Sequence, residues 1–271
     1  MASSVTSVLG TVTSRDGTSI AFERSGAGPA LVIVDGAMCS RQFGPAEATA
    51  GALSAQFTVY RYDRRGRGDS TDTPPYEVAR EVEDLNALVA EAGGSAFVYG
   101  ISSGAGLALE AGASGVPITR LALFEPPYTA EGGDALQQEE ETLRMAQLLD
   151  AGRRAEAVEL FFSWVGMPDE AVAQMRSSPL WPALEEIAPT IAYDDKVMGD
   201  GTVPRERAAR VSVPTIVIAG SLSSEELRRA AEEVARAIPQ AGYRTLEGQS
   251  HTAAPESLAP ILTEFLLDTG R

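Results

Sequence analysis

Residues 97–110, FVYGISSGAGLALE, pass from an apolar, strand-like run into an Ala-rich helical one through Gly-Ile-Ser-Ser-Gly. A junction of this kind constrains a chain more than any other feature here. Gly100 and Gly104 flank Ser102 two residues away on each side. In so tight a turn a side chain at either place would collide with neighbouring elements. The product is one hydroxyl held up at a helix N-terminus, whose N–H groups stabilise developing negative charge. The competing reading is a packing turn that happens to contain serine. The strand before the G-x-S-x-G spacing and the helix after it favour a nucleophile at Ser102. Ser103 is the rival, but it lacks glycines at the same offsets.

The surrounding pattern alternates. Residues 5–12 and 18–24 are β-like runs joined through Arg15-Asp16-Gly17-Thr18, a hairpin signal. Residues 30–34, ALVIV, form a continuous apolar run suited to a sheet buried on both faces, and 57–62, FTVYRY, supply the next strand. Val78, Val82, Leu85, Leu88 and Val89 fall on one stripe of a helix over 77–92. Strands over 95–99, 119–124, 213–219 and 242–246 and helices over 103–113, 225–237 and 256–267 complete the series. Alternating strands and helices imply an α/β fold, a mostly parallel sheet with helices on both faces.

One stretch breaks the alternation. From about Tyr128 to Pro204 helical patterns (136–150, 154–164, 169–175) are separated by Pro168, Pro179, Pro182, Pro189 and Pro204, with no convincing strand. The expected division is therefore a core in two parts, 1–127 and 206–271, with an inserted helical cap over 128–205. The bland alternative is an extra packing layer.

The chain has 271 residues, 44% of them hydrophobic, enough for a sizeable core. Its formal net charge of −16 repels phosphate backbones and anionic lipid, which argues against nucleic-acid and membrane partners; it says little about a small neutral molecule, and a small-molecule substrate is the expected partner. Cys39 is the one cysteine, so no intrachain disulfide is expected, which fits a reducing compartment. The N-terminal MASSVTSVLGTVTSRDG has no basic region or long apolar run, and no apolar stretch approaches the ~20 residues of a membrane helix. A soluble, cytoplasmic protein is the expectation, with no cofactor and no metal.

A serine nucleophile needs a base. The chain has a single histidine, His251, in a loop after the last strand pattern and before the last helix. Taken together, LVIVDGAM, YDRRGRGDS, YGISSGAG and GQSH, in that order, resemble the α/β-hydrolase superfamily along nearly the whole chain. The resemblance implies an α/β-hydrolase fold with a serine-hydrolase triad. It implies backbone N–H donors to an oxyanion at Ala37 and Ser103. It gives the loop of Asp63, Arg64, Gly66, Gly68 and Ser70 a mainly structural role.

There are two departures. The superfamily's oxyanion loop usually begins His-Gly, and here it is Asp35-Gly36. Asp35 is either a structural substitute or a sign of altered chemistry. The triad acid usually follows the strand placed here at 213–219, yet AGSLSSEEL contains no aspartate. Glu225 and Glu226 open a helix, where acids are expected anyway. Glu125, in LALFEPPY, stands at the end of the strand after the elbow. Some superfamily members, haloalkane dehalogenases among them, carry their acid there. Glu125 is the preferred third member.

Met145, Phe161, Phe162, Trp164, Met167, Trp181, Tyr193 and Met198 are candidate walls for a moderately apolar substrate. Cys39 reads as a small buried hydrophobe. The expected activity is cofactor-independent hydrolysis of a carboxylic ester by Ser102, His251 and Glu125. The rivals are a C–C bond hydrolase, an acyltransferase or lyase on the same scaffold, and a ligand-binding or signalling protein that keeps a hydrolase shell. Dehalogenase and epoxide hydrolase activities are disfavoured, because those members carry aspartate where this chain has Ser102.

Overall fold

The computed structural model describes residues 7–131 and 135–268, with 135–139 by backbone alone. The expected start of the first strand at residue 5 and the outer ends of the two core parts lie outside the described residues. Eight described strands form one sheet: β1 (Val8–Thr13), β2 (Ser19–Gly26), β3 (Ala30–Val34), β4 (Thr58–Tyr62), β5 (Ala96–Ile101), β6 (Ile118–Phe124), β7 (Thr215–Gly220) and β8 (Ala241–Leu246). Their order is β1-β2-β4-β3-β5-β6-β7-β8. The β1–β2 hairpin and the β2–β4 pair are antiparallel. From β4 to β8 every pair is parallel. The chain has the α/β-hydrolase fold that its sequence implies.

The continuous apolar strands have a simple cause. Successive side chains leave a strand on opposite faces. In β3, Val32 and Val34 enter one core with α2 (Val78–Glu91), α3 (Ser103–Ala113) and α10 (Glu225–Ala237). Leu31 and Ile33 enter the other, against α1 (Ala46–Leu53) and α11 (Pro255–Leu267). Full burial of each such side chain stabilises by about 1.5–3 kcal/mol. The α1 segment, AEATAGAL, was not expected as a helix, because it is too uniformly small and apolar to show a polar face.

Between β6 and β7 lie α4 (Ala135–Asp150), α5 (Arg154–Trp164), α6 (Asp169–Arg176), α7 (Trp181–Ile187), a single 3₁₀ turn (Ala188–Thr190), α8 (Ile191–Met198) and α9 (Arg205–Ala208). The first three match the sequence reading; the last three helices were missed. The block has its own core of Met145, Trp181, Leu184, Ile187 and Ile191, which Met38 joins from the loop after β3. Thr129 donates to the Gly201 carbonyl at 2.7 Å, joining the start of the block to its end. Among the described residues no helix is long and apolar enough to cross a membrane.

Candidate active site

The chain leaves β5 and enters α3 through Ser102, at φ +55° and ψ −129°. That is a left-handed backbone which a residue with a side chain rarely adopts. The turn is fixed from the neighbouring strand, where the Phe124 carbonyl accepts from the Ser102 N–H at 2.9 Å. The glycines are required by close approach. A β-carbon at Gly100 would lie 2.6 Å from the Ala105 Cα, and one at Gly104 2.3 Å from the Val34 carbonyl oxygen. The sequence argument for these two residues was steric, and the collisions are with backbone, which cannot give way.

His251 sits in the loop between β8 and α11, with its side chain 39% exposed. Two bonds from Gln249 pin that loop: its carbonyl accepts from Leu222 N–H at 2.8 Å and its Oε1 from Ala254 N–H at 2.8 Å. The imidazole is inclined at 27° to the Phe124 ring, with centroids 6.1 Å apart. Its Nδ1 is 2.5 Å from Glu125 Oε2. Glu125 follows the last residue of β6, is fully buried, and has φ +44°. Its other oxygen accepts from Gly220 N–H at 2.6 Å, at the end of β7. Burial raises the Glu125 pKa. The hydrogen bonds from His251 and from Gly220 N–H, with the nearby Ser223 hydroxyl, outweigh it and hold the carboxyl below its ordinary range.

Ser102, Ser103, Ala37 and His251 all line one open cleft of about 1290 Å³. Phe161, Trp164 and Met198 join its wall, with Ile191, Leu160 and Tyr128. The other candidate wall residues lie elsewhere, half-buried Met167 among them. Met145 and Trp181 are buried in the core of the helical block, Phe162 packs against it, and Tyr193 stacks on Tyr76 at 3.8 Å. Glu225 and Glu226 line the cleft at the start of α10, whose N-cap is Ser224, and neither is hydrogen-bonded to His251. The hydroxyl of Ser103 donates to Asp194 Oδ1 at 2.7 Å. Among the described residues no group of three or more His, Cys, Asp or Glu is arranged to hold a metal ion.

Asp35 is buried behind the loop and does not line the cleft. Its Oδ2 and Cys39 Sγ lie against Gly44, where a β-carbon would meet them at 3.2 and 3.1 Å. Burial pushes the Asp35 carboxyl up to about 7, with the charges of Arg67 and Arg64 opposing. Burial likewise pushes the Cys39 thiol well up, so it is no ready nucleophile.

The loop after β4 packs three arginines inside the molecule, each 2% exposed or less. Arg64 pairs with both Glu81 oxygens at 2.7 and 2.8 Å and with Asp194 Oδ1 at 2.5 Å. Arg65 grips Asp84 at 2.8 and 2.7 Å. Arg67 reaches Asp194 Oδ2 at 2.6 Å and the Gly36 carbonyl at 2.6 Å. Sequence reasoning named Arg64 as structural but did not single out Arg67 or Asp194. The available signal was a cluster of arginines in a strongly acidic chain, since arginines are buried only beside carboxylates.

A model of the alpha/beta hydrolase family matches residues 31–260. The chain belongs to the alpha/beta hydrolase family. Among solved structures, this chain is similar to an alpha/beta hydrolase from Sphaerobacter thermophilus DSM 20745, with 51% identity over 95% of this chain and 100% of that one and a TM-score of 0.84. A hydrolase from Pseudomonas aeruginosa PA01 is 24% identical over 96% of this chain and 98% of that one, TM-score 0.72. A thermophilic esterase from Thermogutta terrifontis is 21% identical over 96% and 98%, TM-score 0.72. The last two show the shared fold alone. A comparison with curated protein sequences finds no match.

Proposed function

We propose that the chain is a cofactor-independent serine hydrolase that cleaves a small to medium, moderately apolar carboxylic ester through an acyl-enzyme. The observation that carries this reading is the 2.5 Å contact between His251 Nδ1 and Glu125 Oε2, on a cleft that Ser102 also lines. With Nδ1 held as donor to a carboxylate, Nε2 is the nitrogen left to accept the serine proton. Ser102 Oγ attacks the ester carbonyl while Nε2 takes its proton. The oxyanion forms against the N–H groups of Ala37 and Ser103. His251 then gives the proton to the leaving alcohol, and a water deprotonated by the same nitrogen releases the acid. Glu125 stays ionised and balances the imidazolium.

Backbone strain supports the same assignment. Met38, Ser102 and Glu125 are the described non-glycine residues at positive φ. One adjoins Ala37, one would be the nucleophile and one would be the acid. Strain of this kind, about 1–3 kcal/mol each, persists where geometry is over-determined. In this reading Glu125, just after β6, supplies the acid that AGSLSSEEL lacks, which weakens the ligand-binding or signalling rival; the unusual Asp35 is its other support. In the same reading the helices between β6 and β7 act as a cap, and the protein works in the cytoplasm without nucleic-acid or membrane partners.

A fluorophosphonate probe with peptide mass spectrometry, run beside a series of p-nitrophenyl esters of increasing chain length, tests the proposal. Label on Ser102 and multiple turnovers are expected. Label on Ser103, or neither label nor turnover from well-folded protein, overturns it.

A further inference from the structure

The mechanism leaves one buried carboxylate in the cleft wall without a task. Asp194, on α8, is 5% exposed and lines the cleft beside Ser102. It stands between the helical block and both residues read above as oxyanion donors. On one side, Oδ1 accepts the Ser103 hydroxyl at 2.7 Å. Ser103 is the first residue of α3, so no helical carbonyl is available to its N–H.

On the other side, Oδ2 accepts from Arg67 Nη2 at 2.6 Å. The remaining nitrogens of Arg67 are also committed. Nε donates to Thr190 Oγ1 at 3.1 Å, again in the helical block. Nη1 donates to the Gly36 carbonyl at 2.6 Å, with the Cys39 carbonyl at 3.4 Å. A trans peptide is planar, with C=O and N–H pointing in opposite directions. Holding the Gly36 oxygen on Arg67 therefore aims the Ala37 N–H the opposite way. Arg64 supports the arrangement, donating to Asp194 Oδ1 and, at 3.4 Å, to the Asp35 carbonyl.

We infer that Asp194 is a positioning residue through which the seat of the helical block sets the geometry of the oxyanion hole. The inference rests on the serine-hydrolase reading and on Ala37 and Ser103 as its N–H donors. One block carboxylate fixes the residue of one donor directly and the peptide of the other through Arg67. The oxyanion hole is then complete only when the block is docked. Burial alone would raise the Asp194 pKa, but the charges of Arg64 and Arg67 and the Ser103 hydroxyl hold it below the ordinary carboxylate range, so the clamp stays charged. Arginine is needed at position 67, because a lysine ammonium cannot span three acceptors in a plane.

The test is steady-state turnover of the p-nitrophenyl ester the wild type prefers, normalised to sites titrated by fluorophosphonate, together with inhibition by an arylboronic acid that forms a tetrahedral serine adduct. Removing one oxyanion donor outright costs about 10²–10³ in turnover. Loosening an aimed donor should cost less. Asp194→Asn is expected to lower kcat by about 10- to 100-fold, to leave KM within about threefold, and to weaken the boronic acid by a factor similar to the kcat loss. A folded variant with unchanged kcat, or a loss confined to KM, overturns the inference and leaves Asp194 as packing or cleft wall. If Asp194→Asn does not fold, Ser103→Ala decides. It keeps the backbone N–H and cuts only the bond to Asp194, and a several-fold fall in kcat and in boronic-acid affinity at constant KM is expected, whereas no change in either overturns it. A wild type that takes no probe and turns over no ester removes the hydrolase reading and this inference together. An active wild type with a silent Asp194 variant removes only this one.

Discussion

Glu125 Oε2 lies 2.5 Å from His251 Nδ1, across 126 residues of sequence and from opposite sides of β7. Glu125 reaches that position because β6 ends at Phe124 and the backbone turns to φ +44° at the next residue. The Gly220 N–H at the end of β7 holds the second oxygen at 2.6 Å. The carboxylate is fully buried, so the imidazole edge and one peptide N–H replace its water shell. Removing a buried carboxylate satisfied in this way leaves its partners unpaired.

Glu125→Gln keeps the shape and removes the charge. In the serine-protease template such a change lowers turnover by about 10⁴, because the imidazole is no longer held in the right tautomer. Turnover of the best ester should fall by at least about 10³, with the fold retained by circular dichroism. Glu225→Gln and Glu226→Gln should change turnover by less than about twofold, as expected for acids at an exposed helix start. Near-normal activity of Glu125→Gln would sink its role as the acid.

The glycines make a matched test of the elbow. Gly104→Ala places a methyl 2.3 Å from the Val34 carbonyl oxygen and 2.5 Å from that of Asp35. It should destabilise by about 3 kcal/mol or more, because backbone must move to admit it. Gly51, exposed within α1, has nothing within 4 Å of the same position. Gly51→Ala should stabilise by about 0.5–1 kcal/mol through helix propensity. Urea melts of the two variants read both signs, and equal effects would show that the elbow is looser than described.

The elbow was legible because its constraint is local. Two glycines around Ser102 express collisions with Val34 and Ala105 that any chain making this turn must avoid. The strands were legible because burial on two faces leaves no polar positions, as ALVIV shows. His251 and Glu125 could be placed at one end of the sheet because both follow strands in a parallel sheet. The fate of individual side chains in the helical block could not be read. Trp181 and Trp164 look alike in sequence, yet one packs inside the block and the other faces the cleft. That choice depends on how α5 and α7 cross. The link from Arg67 to Asp194 spans 127 residues and follows from no local pattern.

Asp35 supplies a prediction in pH. Burial pushes its carboxyl up to about 7, from an ordinary 3.8, against the opposing charges of Arg67 and Arg64. One of its oxygens has no hydrogen-bond partner. The folded state therefore binds more protons than the unfolded state between about pH 4 and 7. Stability falls as pH rises through that window, and the full cost is reached above the folded value. A displacement of this size corresponds to on the order of 4 kcal/mol. Asp35→Asn removes the ionisation and keeps an acceptor oxygen, so it should be more stable than wild type at pH 8–9. Its advantage should shrink steadily as the pH is lowered toward 4–5, where wild-type Asp35 is already protonated when folded. Thermal melts of the two proteins across that range measure the difference directly. A constant difference at all pH values, or one that grows on acidification, would show that Asp35 is ionised inside the fold and balanced by the arginines around it.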